Sequence, residues 1–126
     1  MPAFADLKVR GMKEFVANSG LIDVLPLQAG TFDYSVRLTG EKIRERYGAI
    51  AHRKLSEFLP PNMERRWRRA LDLVRVEKAP LRVHGRMSYE NRTWLYQETL
   101  LAPLSRADGM IGVFLLVTAW WPATTP

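Results

Sequence analysis

No cysteine occurs in the 126 residues, which excludes disulfides, zinc–thiolate sites, iron–sulfur clusters and thiol catalysis. Histidine is scarce: His52 and His84 stand apart, and neither has a second metal-ligand signature beside it. Long apolar runs are missing as well. The longest, Gly109 to Trp121, is too short for a helix that spans a bilayer, and the opening MPAFADLKVRGMKEF has no continuous apolar stretch behind a basic start. A reducing cytoplasm is the expected compartment, with neither export nor membrane insertion indicated. Paired carboxylates, nucleophile–base spacing and a glycine-rich phosphate loop cannot be assembled from the residues present, so the expectation is a protein that is not an enzyme.

What is present is enough apolar residue, 47% of the chain, to bury one core and too little length for two ordinary domains. The net charge of +6 favours anionic partners in general and says nothing about fold. Leu7, Met12, Phe15 and Val16 recur at roughly helical spacing before the turn chemistry of Asn18-Ser19-Gly20, which predicts a short leading helix. LIDVLPL reads as a strand and QAGTFD as a turn. Tyr34, Val36 and Leu38 then alternate with Ser35, Arg37 and Thr39, the period of a second strand with one apolar face. The period changes abruptly after Gly40: Ile43 and Tyr47 lie four apart among charged residues, a helix of about two turns that Gly48 terminates.

KLSEFLPP predicts a single helical turn with Leu55, Phe58 and Leu59 inward, broken by Pro60-Pro61. A longer helix follows from about Asn62 to Glu77, with Met63, Trp67, Ala70, Leu71 and Val74 on one arc and Arg65, Arg68, Arg69, Asp72 and Arg75 on the other. The last third is strand-rich: PLRVHGRMSY, RTWLYQETLLAPL and GMIGVFLLVTAWW, with SYENRT and SRADG as the turns between them. The last strand is apolar on both faces, as a central strand covered on both sides is. It sets Met110, Phe114 and Leu116 on one face and Ile111, Val113, Leu115 and Val117 on the other.

The order strand, strand, three helical pieces, strand, strand, strand resembles the PAS domain. LIDV, YSVRLTGEKI with RYG, EFLPP, the long helix before APLRVHGR, and ETLLAPLSRADGMIGVFLL are together similar to the bacterial PAS family often found as nearly free-standing single domains. The most specific pieces are Arg37-Leu38-Thr39-Gly40 and Pro103-Leu104-Ser105 followed by Asp108-Gly109. The resemblance implies an α+β PAS fold, a five-stranded antiparallel sheet with short helices and one longer helix covering one face. It covers the chain from Pro2 to about Ala119, and one domain is expected over residues 1–121, with 1–19 a leading helical segment and 122–126 a tail. Such domains often carry a further N-terminal helix, so the resemblance implies that the natural protein begins upstream of Met1. Glu41 stands where the family often has a small hydroxyl residue, and Val9 and Ala17 where prolines are expected.

The resemblance also implies a regulatory or sensory role. Gly40 permits the sharp strand exit under the helices, and Gly48, Asp108 and Gly109 shape turns. Tyr34, Val36, Ile43, Tyr47, Phe58, Trp67, Leu71, Trp94, Tyr96 and Phe114 form the aromatic and apolar set that either lines a cavity for a small ligand or is ordinary core. No cofactor is evident: a cysteinyl flavin adduct is excluded, and haem would need His52 or His84 as its axial ligand. Glu98 either faces Arg37, Arg82 or Arg86 across strands, or is solvated while Leu95, Thr99 and Leu101 point inward. The cluster Arg65, Arg68 and Arg69 around Trp67 is either an anion- or partner-binding surface or the solvated side of an amphipathic helix. No helix-turn-helix, RNP-type aromatic pair or zinc finger accompanies it, so nucleic acid is not the expected partner. Helices can cover only one sheet face. The other, with Ile111, Val113, Leu115, Val117, Trp120 and Trp121, is therefore expected to be covered by a second copy of the chain or by a partner protein. Regulation by protein contact is the first reading, a dedicated small-molecule sensor with an occupied core cavity the second, and a small enzyme on a cone-like α+β fold the last.

Overall fold

A computed structural model describes residues 15–86 and 95–122. A 3₁₀ turn at Val16–Asn18 leads into β1 (Ser19–Pro26), and a second at Gln28–Gly30 joins it to β2 (Phe32–Thr39). Three helices follow, α1 (Glu41–Tyr47), α2 (Leu55–Phe58) and α3 (Pro61–Glu77), and then β3 (Leu81–Arg86), β4 (Leu95–Ser105) and β5 (Ile111–Pro122). The five strands form one sheet in the order β2-β1-β5-β4-β3, every neighbouring pair antiparallel. The predicted leading helix lies largely outside the described residues, as do the turn at SYENRT and Trp94. Among the described residues no helix is long and apolar enough to cross a membrane.

Each helix forms where its apolar spacing meets the sheet. α1 buries Ile43 and ends at Gly48, whose φ of 81° is the left-handed conformation that glycine adopts without strain. α3 starts with proline in its first turn, where the missing N–H removes nothing, and buries Met63, Leu71 and Val74. These three meet Ile22, Val24, Tyr34, Leu101, Ile111 and Phe114 from the sheet in one core. At roughly 1.5 to 3 kcal/mol for each large apolar side chain removed from water, this contact supplies most of the helix's stability and adds to the good helix propensity of its arginines.

α3 is also fastened to β2 by polar groups. The buried Tyr34 hydroxyl donates to the Asp72 carboxylate, and Arg75 donates to the same hydroxyl at 3.4 Å. Arg68 donates to Asp33 at 2.9 Å, to Glu64 at 3.1 Å and to the Phe32 carbonyl. Burial alone would raise the Asp33 carboxyl, but hydrogen bonds from Arg68 and the Tyr34 amide outweigh it and hold the group below its ordinary value. Arg68 is therefore a strut between helix and sheet rather than part of an exposed binding cluster. Its reach to Asp33 across the core edge overrides the outward phase read from the helical wheel. Arg65 and Arg69 are exposed.

Burial and the Asp72 carboxylate push the Tyr34 phenol up to about 12. Its proton is held more tightly in the folded chain, so stability should fall as pH rises from about 10, where an unfolded tyrosine ionises, through 12. Tyr34→Phe should remove the phenolate absorbance change near 12 and flatten this alkaline decline. An unchanged decline in alkaline unfolding experiments would place the source elsewhere.

Candidate functional site

Gly40 creates the space under the helices. Its amide donates to the Ser19 carbonyl at 2.7 Å, and a Cβ at this position would overlap the Val16 carbonyl oxygen and come within 2.7 Å of Ala17. The φ of −75° is ordinary, so closeness of backbones rather than an unusual conformation requires glycine. With β2 ending so tightly against the first described turn, α1 swings over the helix-side face of the sheet.

A cavity of about 60 Å³ lies beneath α1 and α2. Val36, Ile43, Tyr47, Phe58, Trp67 and Leu71, all from the aromatic and apolar set, line it. Tyr34 and Phe114, also expected there, are instead fully buried in the adjoining core, with ring centroids 5.9 Å apart. Tyr96 lies on the opposite sheet face, where its hydroxyl pairs with His84 Nδ1 at 2.8 Å and its ring stands 5.3 Å from that of Trp121. Trp94 falls outside the described residues. Of the two histidines, His52 is exposed in the loop between α1 and α2, and His84 is exposed on β3.

Tyr96 points away from the helices because of the strand phase. Leu95, Gln97, Thr99 and Leu101 point toward the helices and are buried, whereas Tyr96 and Glu98 point away. Glu98 pairs with Arg82 at 3.0 Å on the outer face. The inward row carries a polar ladder that sequence reasoning did not identify as a site. Tyr47 donates to Gln97 Oε1 at 3.0 Å, and the Trp120 indole N–H donates to the same oxygen at 2.9 Å. Gln97 Nε2 donates to Thr99 at 3.0 Å, and Thr99 shares a hydrogen bond with Thr118 at 2.8 Å. No buried side-chain polar atom among the described residues lacks a partner. Gln97 thus joins α1, β4 and β5 in one network at the wall of the cavity, and polar residues on the inward period of a strand are the signal that reveals it.

Trp120 belongs to this inner network, not to the outer face. Its ring packs beneath α1, with the Arg46 guanidinium 5.3 Å from its centroid. Ile111 is likewise inside, packed with Phe114. Ser105 pairs with Ile111 and Leu104 with Val113, leaving Gly112 as an extra residue, and one extra residue reverses the face of what precedes it. Met110, expected beside Phe114, is 57% exposed at the turn. That turn is shaped by Asp108, which accepts from the Met110 amide at 3.0 Å and from Arg106, and by Gly109 with φ 83°.

On the outer face, Leu21, Leu104 and Val113 are buried and pack with Leu115, a cluster without a helical residue among those described. Register sets Leu38, Leu21, Leu115 and Ala102 in one row across four strands, with Val117 and Leu100 paired beside them. Leu38 is 49% exposed, Leu100 46% and Trp121 41%. The apolar strip is real but narrower than the final strand alone predicts, because Ile111 and Trp120 turn inward and Val113 is covered.

No protein-family model matches the sequence, and no curated protein does. Among solved structures, the chain is similar to a sensory box sensor histidine kinase from Vibrio cholerae, with a TM-score of 0.62 over 91% of this chain and 92% of that one, at 14% identity. The fold is the PAS fold, as the order of strands and helices in the sequence implies.

Proposed function

We propose that this PAS-fold chain is a single regulatory domain of a signalling system, related to the nearly free-standing bacterial PAS proteins, acting without catalysis through protein contact at the outer sheet face. The observation that carries this reading is the apolar row in which Leu38 and Leu100 are exposed and Leu115 and Val117 half-buried, with the exposed Trp121 and half-buried Tyr96 at its other end. Aromatic and aliphatic side chains set between paired charges have the composition of an interface centre with a polar rim. The charges beside the row are already paired, Arg37 with Asp23 at 2.6 Å and Arg82 with Glu98, so a second copy of this +6 chain can approach there without facing isolated like charges. The exposed Arg65 and Arg69 lie on the helix side and tune the choice of further partners by charge.

Leu100→Glu should leave the domain folded, because that side chain stands half in water, and should shift the chain from dimer to monomer in light scattering at micromolar concentration. A wild type that is strictly monomeric and a variant that binds every cellular partner unchanged would overturn the reading. Val113 is unsuitable for the same test, since a charge at a buried position would unfold the chain.

The cavity under α1 and α2 supports a second reading, a sensor with an occupied core. Its volume of about 60 Å³ is below the roughly 300 to 1,000 Å³ of most ligand sites, so occupation requires a very small molecule or a raised α1. Native mass spectrometry of the purified chain tests it: a stoichiometric non-covalent mass favours the sensor.

A further inference from the structure

We infer that a groove between α3 and β3 is a binding site for a small monocarboxylate with a compact apolar body, its carboxylate held at the rim by Arg66. The groove has a volume of about 100 Å³ and is separate from the core cavity, although Trp67 and Gln97 wall both. It exists because of one residue. On the edge strand β3, Leu81, Val83 and Gly85 are the partly buried positions that face the helices, and at Gly85 no side chain fills the gap above Gln97, its register partner on β4.

The chemistry of the lining decides which end of a ligand points inward. Met63, Trp67, Ala70 and Val83 supply apolar walls. The polar atoms at the floor, on Gln97 and Thr99, are already hydrogen-bonded to each other and to Tyr47, Trp120 and Thr118. A ligand that buried a charged or strongly polar head there would lose its water without gaining partners. The apolar body therefore enters and the head stays at the mouth. The positive group at that mouth is Arg66, which lines it, and an ideal Cβ on Gly85 would lie 3.6 Å from Arg66 Nη2. Arg66 makes no ion pair with another described residue, so its planar fork is available for a carboxylate in bidentate geometry. A dry cavity of about 150 Å³ admits benzene; the groove, at 100 Å³, is smaller, so a benzene-sized body enters only in part and leaves its remaining edge at the open side.

The site goes beyond the contact reading and does not depend on it. An occupied groove would press on Gln97, which bonds Tyr47 on α1 and Trp120 on β5, so the same network offers a route from ligand to sheet.

Benzoate is the probe, titrated calorimetrically into the whole chain, with benzamide as its neutral counterpart and inorganic phosphate as an anion without an apolar body. Saturable benzoate binding is expected, with benzamide about tenfold weaker, Arg66→Gln showing a similar tenfold loss for benzoate, and phosphate failing to compete. Gly85→Ala should remove benzoate binding while circular dichroism shows an intact fold; if that variant does not fold, Ala70→Leu fills the groove from the helix side. Absent benzoate binding, benzamide binding equally well, an unaffected Arg66→Gln variant, or effective competition by phosphate alone would each overturn the inference. Failure here leaves the association measured with Leu100→Glu untouched, so the two ideas fail separately.

Discussion

Gly40→Val is expected to lower stability by about 3 kcal/mol or more, beyond the usual range for an overpacked site. The neighbours of Gly40 are backbone atoms of Val16 and Ala17, which cannot rotate away as a side chain end can. Relief requires pulling the first described turn off β2, which also breaks the bond from the Gly40 amide to the Ser19 carbonyl. Thr39→Val, one residue earlier and only partly buried, should cost under about 1 kcal/mol. Urea unfolding of the two variants checks this, and equal midpoints would contradict a tight strand-to-helix exit. The effect should also reach the cavity, because α1 begins at Glu41 and the placement of its Ile43 and Tyr47 over the cavity follows from where β2 stops.

Trp67→Ala should cost about 3 kcal/mol, at the lower end for large aromatic truncations because the indole is only partly buried. Trp67 is a shared wall of the core cavity and the α3/β3 groove, so its removal leaves Gln97 as the side chain still common to both walls. Water reaching the Gln97, Thr99 and Thr118 ladder would add to the loss by competing for bonds now sheltered. Denaturant unfolding followed by far-ultraviolet circular dichroism measures it. A loss below about 1 kcal/mol would show that the indole contributes little to either wall.

Most elements were legible because their hydrophobic period is unmixed. The change from alternate residues in Tyr34–Leu38 to a spacing of four in Ile43 and Tyr47 marks the end of β2, and Pro61 and Gly48 mark helix boundaries by chemistry that acts within a few residues. β4 was harder, since Leu95 and Tyr96, like Leu100 and Leu101, put apolar side chains on both phases. What fixes its phase is distant: Tyr47 and Trp120 satisfy Gln97, and Thr118 satisfies Thr99, which lets polar residues take the inner row. Ile111 was misread because Gly112 shifts the register by one residue. Arg68 was misread because its partner, Asp33, lies 35 residues earlier. Bulges and long-range ion pairs leave no trace in a local period, so the cavity wall was half legible and its polar ladder was not.

The proposed contact face is tested most directly by isotope-filtered nuclear magnetic resonance on a mixture of labelled and unlabelled chains at a concentration where they associate. Two sheets packed face to face lie about 10 Å apart with interdigitated side chains, close enough for methyl–methyl contacts between copies. The account predicts intermolecular contacts from the methyls of Leu100, Leu115 and Val117, and none from Leu73 and Val76 on the exposed side of α3. Intermolecular contacts confined to Leu73 and Val76, or absent altogether while the chains are associated, would contradict it.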